Sequence, residues 1–285
     1  MVFSPQQAAQ LSPLFKGKAG ELLYRAAMRV TGIYHVNDIH EACEKQGIPP
    51  GPDFAKGILD QIGVDFQIGN PERLAFPEGP FITISNHVYG HMDGICLVDV
   101  IGHVRPQMKV MVNQMLMYIW GLAPNFISVN PTLTKRETTA TSINGVKAAL
   151  QQLRSGEPLA LFPSGAVADL KPREGWILRE RDWQDAAVRL IRKARVPIVP
   201  IRFFDRNSWF YYSLGLVDYR VRFARLFHEV GNKKGQCPRL GIGETITVAQ
   251  QDAVPEADFK AFLRKSVDEM PLPEHFIKRS ELWQK

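Results

Sequence analysis

Cysteine is scarce. The 285 residues hold three, Cys43, Cys96 and Cys237, at spacings that suit neither a disulfide framework nor paired Cys-x2-Cys zinc ligands. They read as reduced thiols of a cytosolic protein. The chain begins Met-Val-Phe-Ser-Pro-Gln-Gln, without the basic stretch and apolar core of a secretory leader, so export is not expected. No Gly-x-Ser-x-Gly elbow occurs, which argues against a nucleophilic serine. Internal repeats and low-complexity linkers are missing too. So are long, clean apolar runs. Val110 to Thr134 carries no charge between Lys109 and Lys135-Arg136, yet Asn113, Gln114, Gly121, Pro124, Asn125, Ser128 and Asn130 interrupt it. In lipid such a segment would leave backbone groups unsatisfied, so it is expected to be buried or to dip into a surface rather than span a bilayer.

What is present describes a folded protein. Hydrophobic residues make 45% and charged residues 22% of the chain, ordinary globular usage that excludes disordered and collagen-like classes. Thirty-five Lys and Arg against 29 Asp and Glu leave a formal charge of +6, which favours an anionic partner: an anionic leaflet, an acidic carrier protein or nucleic acid. Nothing resembles a nucleic-acid-binding module, so nucleic acid is not expected as a partner.

Residues 1–75 show broken helical patterns, with Leu22, Leu23, Ala26, Ala27 and Val30 apolar at helical spacing and Pro49-Pro50-Gly51-Pro52 as a turn. They read as a helical N-terminal extension ahead of a domain covering residues 76–285. Within that domain Phe81 to Ser85, Leu159 to Phe162 and Ile198 to Ile201 read as buried strands, and Thr245 to Val248 as a late one. Between them Ile143, Val146, Leu150 and Leu153 share one helical face, and Trp183, Ala186, Ala187, Leu190, Ile191 and Ala194 another. Pro255 opens a C-terminal helix. This alternation predicts an α/β fold, a central mostly parallel or mixed sheet covered by helices.

Three short stretches carry the chemistry. The first, Ser85-Asn86-His87-Val88-Tyr89-Gly90-His91-Met92-Asp93-Gly94, lies where a strand ends, the usual place for reactive groups in α/β proteins. An imidazole there can take a proton from an attacking hydroxyl if a neighbour fixes its tautomer, and Asp93 can fold back to His87 through a turn at Gly90. Asp93 also stands where a helix N-cap would. The second is Phe162-Pro163-Ser164-Gly165, whose amides at Ser164 and Gly165 are candidates for holding an oxyanion. The third is Val196-Pro197-Ile198-Val199-Pro200-Ile201. Two prolines predict an edge strand or an irregular one, with a rigid strand entrance as the plain alternative.

Together and in this order the three stretches resemble the glycerolipid (lysophospholipid) acyltransferase superfamily over roughly residues 76–248. The resemblance implies a glycerol-3-phosphate acyltransferase-like fold, a thioester donor, a hydroxyl-bearing lipid acceptor, His87 as general base and Asp93 as its orienting partner. Two departures stand out: five residues separate His87 from Asp93 instead of the commoner four, and the loop reads Phe162-Pro163-Ser164-Gly165-Ala166-Val167 in place of Phe-Pro-Glu-Gly-Thr-Arg. That Arg is associated with phosphate-bearing acceptors, so its loss argues against lysophosphatidic acid. With Arg206-Asn207-Ser208-Trp209-Phe210 and the region from His228 to Lys233, the pattern is similar to the hemolysin-like branch, which includes O-acyltransferases of amino-acid lipids such as ornithine and glycine lipids.

On that resemblance the expected reaction carries an acyl group from acyl carrier protein or coenzyme A to a monoacyl amino-acid lipid, with the thioester as co-substrate and no resident cofactor or metal. Acceptor-binding candidates are Asn86, Lys171, Arg173, Arg202 and Arg206. Candidates for the acyl groove are Met115, Met117, Tyr118, Ile119 and Trp120. The expected setting is cytoplasmic, peripheral to the inner face of an anionic membrane. Two rivals are a metal-dependent hydrolase using His87, His91 and Asp93, and a basic peripheral protein without activity. A lysophosphatidic acid acyltransferase is the alternative within the family.

Overall fold

The computed structural model describes residues 5, 6, 9, 13–129 and 140–282. Three helices come first: α1 (Gly17–Thr31), α2 (Ile33–Lys45) and α3 (Pro52–Ile62). Gly32, in the left-handed conformation at φ 79°, ends α1, and Pro52 opens α3 at a position where its missing N–H costs nothing. Then follow β1 (Gln67–Gly69), β2 (Ile82–Ser85), α4 (His91–Val104), β3 (Lys109–Asn113), β4 (Phe126–Val129), α5 (Ala140–Arg154), β5 (Leu159–Leu161), β6 (Asp169–Lys171) and β7 (Ile177–Arg179). The chain closes with α6 (Asp185–Ala194), β8 (Ile198–Phe203), α7 (Trp209–Val217), α8 (Tyr219–Gly231), β9 (Arg239–Ile242), α9 (Val248–Asp252), α10 (Glu256–Asp268), β10 (Phe276–Lys278) and α11 (Arg279–Leu282).

Among the described residues eight strands form one sheet in the order β10-β1-β9-β8-β2-β5-β3-β4, and β6 and β7 form a separate hairpin. The run β8-β2-β5-β3-β4 is parallel throughout, whereas β9 meets β8 and β10 meets β1 antiparallel. The sheet is therefore mixed with a parallel majority, as expected. Every residue of β2 is buried, and the strand is apolar because both faces are covered. Phe54, Leu59, Leu97 and Ile101 from α3 and α4 pack on one side; Leu153, Leu190, Ile191, Phe259 and Leu263 from α5, α6 and α10 pack on the other.

Four expectations change. The boundary near residue 75 does not coincide with an edge of the fold: β1 pairs with β9 and β10 inside the sheet, and α3 packs on α4. The proline-flanked strand β8 is interior, between β9 and β2. Its prolines are tolerated because the N–H that Pro200 lacks falls on the side away from β2. There the Ile198 N–H and C=O both meet Ile246 and the Pro200 C=O meets the Gly243 N–H, just past the end of β9, which pairs with β8 only from Ile201 onward. Thr245 to Val248 is not a strand. Ile246 makes an isolated bridge to Ile198, while Thr247 and Gln250 form a capping box that starts α9. The helix after Pro255 is not the last element, since β10 and α11 follow it.

The charge-free segment enters the sheet as β3 and β4, joined by short 3-10 turns; its end, Asn130 to Thr134, lies outside the described residues. Among the described residues no helix is long and apolar enough to cross a membrane.

Candidate active site

The site forms at the C-terminal ends of the adjacent parallel strands β2 and β5, which run directly into the His87 loop and the Phe162 loop. Asn86 locks the first of these exits. Its side chain donates to the Phe203 carbonyl (2.9 Å) and accepts from the Phe203 N–H (2.7 Å), so both ends serve the β2–β8 junction rather than a ligand.

His87 Nδ1 lies 2.8 Å from Asp93 Oδ2. Asp93 is fully buried, and the same oxygen accepts the N–H groups of Tyr89 and Gly90, each at 3.0 Å. Asp93 thus occupies the third position of α4 and caps the helix by reaching back, while Gly90 is the N-cap. One oxygen thus both caps the helix and faces the imidazole. The turn requires glycine: Gly90 has φ +81°, and a Cβ there would stand 2.8 Å from Leu226 of α8. Against a buried carboxylate, Nδ1 of the ring carries the proton, which leaves the Nε2 lone pair for a substrate. Phe162 stacks on the imidazole at 4.5 Å between centroids.

A residue without any local signal in the sequence completes the support. Glu180 Oε1 accepts the backbone N–H of His87 (2.5 Å) and lies 2.9 Å from Ser164 Oγ, and Oε2 accepts Trp183 Nε1–H (3.2 Å). One carboxylate ties the His87 loop, the Phe162 loop and the entry to α6. Burial pushes its pKa above the usual carboxylate range even against these donors. The Gly165 N–H donates to the Phe162 carbonyl (2.9 Å), so the turn consumes one of the two amides expected to hold an oxyanion. Gly165 is glycine for two reasons, φ +65° and Gln184 Nε2 at 2.1 Å from where a Cβ would stand.

His87 opens on a cavity of about 640 Å³, within the ~300–1,000 Å³ usual for ligand sites. Its walls are mainly apolar, with Val112, Phe126, Val146, Leu190, Phe223 and Leu226 from β3, β4, α5, α6 and α8. The expected groove residues are largely elsewhere. Met117, Tyr118 and Ile119 pack on the α3–α4 core, and Trp120 donates to Glu44 (2.6 Å). Leu116 of that segment does reach the cavity, and the side chain of Met115 lies outside the described residues.

The basic candidates are scattered. Lys171 on β6 pairs with Asp169 (3.7 Å), and Arg173 is exposed in the β6–β7 turn. Arg202 donates to the Met270 carbonyl (2.6 Å), and Arg206 lies over the Trp209 ring (4.4 Å). None of the four lines the main cavity; the arginine that does is Arg222 of α8. His91 also lines it, tilted against the Phe227 ring at 4.4 Å between centroids. With the His87 Nδ1 engaged by Asp93 and His91 turned to Phe227, the three side chains of the hydrolase reading do not converge as ligands. Among the described residues no group of three or more His, Cys, Asp or Glu is gathered for a metal.

Residues 65–203 match the family described as Acyltransferase. That segment, just under half of the chain, is similar to this family. Two curated relatives are both named lyso-glycine lipid O-acyltransferase. The protein of Bacteroides thetaiotaomicron is 28% identical over 65% of this chain and 65% of its own length. That of Phocaeicola vulgatus is 27% identical over 75% of this chain and 76% of its own. The match with the first thus spans just under two thirds of that relative. Among solved structures, the 1-acyl-sn-glycerophosphate (LPA) acyltransferase of Thermotoga maritima is 14% identical, with a TM-score of 0.46 over 76% of this chain and 75% of that one.

Proposed function

We propose that this protein is an O-acyltransferase that moves a fatty acyl group from a thioester to the hydroxyl of a monoacyl amino-acid lipid, a lyso-glycine lipid foremost. The observation that carries the reading is the His87–Asp93 pair at the wall of a large apolar cavity. The names of the two curated relatives supply the acceptor.

In this mechanism His87 Nε2 takes the proton of the acceptor hydroxyl as its oxygen attacks the thioester carbonyl. Asp93 stabilises the imidazolium that forms. The tetrahedral intermediate collapses with cleavage of the C–S bond, and the imidazolium returns the proton to the departing thiolate, giving an ester and a free thiol. Backbone amides of the Phe162–Val167 loop are the proposed oxyanion donors, with Ser164 the remaining one of the expected pair. The fatty chains lie against the apolar wall, whose burial of methylene groups stabilises binding by ~0.8 kcal/mol each. The donor is acyl carrier protein or coenzyme A, and no resident cofactor enters the scheme. The enzyme works from the cytoplasmic face of a membrane, held there peripherally by the exposed apolar residues of the α7–α8 hairpin.

The direct test is to supply purified protein with an N-(3-hydroxyacyl)glycine and an acyl thioester and follow the diacyl product by mass spectrometry. Turnover is expected, and it should vanish in His87→Ala with the circular dichroism spectrum unchanged. Acylation of lysophosphatidic acid but not of the glycine acceptor would overturn the choice of acceptor, and full activity of His87→Ala would overturn the mechanism.

A further inference from the structure

Beside the apolar cavity lies a second one of about 180 Å³, walled by Asp169, Lys171, Arg181 and Arg222 with Tyr219. Tyr219 and Arg222 line both cavities, so the two share a wall. The charges are unbalanced. Asp169 pairs with Lys171 (3.7 Å), Arg181 (3.0 Å) and Arg222 (2.7 Å), and among the described residues no other carboxylate pairs with any of the three. One negative charge thus answers three positive ones in a concave, partly desolvated place, which attracts an anion.

Arg222 is built in rather than lying on the surface. It is 3% exposed, and its guanidinium donates to the carbonyls of Ala168 (3.0 Å) and Val167 (3.4 Å). The Ala168 N–H in turn donates to the carbonyl of His87 (2.9 Å). A single residue therefore links the guanidinium to the main chain of the general base. The loop lacks an arginine of its own, with Val167 at the position in question, and α8 supplies one to the same stretch of backbone.

We propose that this smaller pocket receives the carboxylate of the acceptor's headgroup and so selects a small anionic amino-acid lipid; the assignment rests on the acyl-transfer reading given above. In an N-(3-hydroxyacyl)glycine the hydroxyl and the carboxylate are separated by a few bonds across one amide. A headgroup seated on Arg222, Arg181 and Lys171 therefore keeps its hydroxyl near His87 while its tail enters the apolar cavity. The positive excess also disfavours a headgroup with a free amine, such as ornithine. Three cations suit a carboxylate because each of its oxygens accepts charge-assisted hydrogen bonds.

The pocket can be tested apart from the reaction. N-myristoylglycine has no hydroxyl to acylate, and its methyl ester has no charge. Calorimetric titration of the full chain should show the acid binding about tenfold tighter or more than the ester. That preference should be lost in Arg222→Gln with the ester's affinity retained. If Arg222→Gln does not fold, the double variant Lys171→Gln/Arg181→Gln, altered at two partly exposed positions, should lose the same preference. Equal binding of acid and ester, or variants that keep the full preference, would overturn the proposal. If the hydroxylated acceptor is not acylated but N-myristoylglycine still shows the Arg222-dependent preference, the reaction reading fails and the anion pocket stands.

Discussion

At the scale of single residues the site is defined by one carboxylate oxygen. Asp93 Oδ2 receives two backbone amides and faces His87 Nδ1, so it fixes a helix start and an imidazole together. Asp93→Asn separates these duties, since an amide oxygen can still accept from Tyr89 and Gly90 but brings no charge to balance an imidazolium. We expect kcat to fall by roughly a hundredfold or more, with KM for the thioester and the melting temperature little changed. Steady-state kinetics beside thermal denaturation checks this; an equal loss of stability and activity would assign Asp93 to the helix alone. This pair was legible in the sequence because His and Asp lie six positions apart around a glycine. Glu180 was not, since its three partners stand 93, 16 and 3 residues away and no periodicity marks such a convergence. The same limit applies to Arg222: beside Arg220 and Arg225 it reads as one of a set of exposed basic residues, and its burial depends on the approach of α8 to residues more than 50 positions earlier.

At the scale of elements, apolar runs identified β2, β5 and β8, and helical spacing identified α5, α6 and α10, because burial on both faces or on one stripe leaves a local pattern. Where pairing decided the outcome the pattern misled. Proline argued for an edge, but the cost depends on which side of a strand the missing N–H faces. The uncharged stretch points to Met115, Met117, Tyr118, Ile119 and Trp120 as the groove, yet the cavity's walls come from strands and helices spread along the chain, from α4 to α8. Two N-caps, Ser208 accepting from Tyr211 and Asp218 accepting from Arg220, define the α7–α8 hairpin as two helices. Tyr211 and Tyr212 are buried, while Trp209, Phe210, Leu216, Val217 and Val221 are exposed at 49, 58, 47, 81 and 48%. Exposed Arg220 lies next to them, a combination suited to an anionic interface. The wild type is expected to sediment with vesicles containing anionic lipid, and Phe210→Ser/Val217→Ser to remain largely in the supernatant with its thermal stability unchanged. Equal sedimentation of both would remove the hairpin from membrane attachment.

For the whole molecule, buried ionisable groups shape the response to pH. Burial, with a smaller contribution from the charge of His87, pushes His91 down to about 3, whereas an unfolded histidine titrates near ~6.5. Below that value the unfolded chain binds a proton that folded His91 refuses. Its share of stability is therefore whole above pH ~6.5 and declines toward pH 3, by about 1.4 kcal/mol per pH unit within that window. His91→Phe keeps an aromatic ring against Phe227 and removes the proton uptake. Its melting temperature should fall less than that of the wild type between pH 7 and pH 5. Parallel declines would show that His91 does not contribute.

The arrangement around Glu180 also bears on how the protein is made. His87 emerges from the ribosome long before the groups that hold its backbone, since its carbonyl waits for Ala168 and its amide for Glu180. A nascent chain or proteolytic fragment that stops short of residue 180 can carry the His–Asp pair and still lack a settled base. On the proposed mechanism, a settled base therefore requires the chain through Glu180, beyond the β6–β7 hairpin.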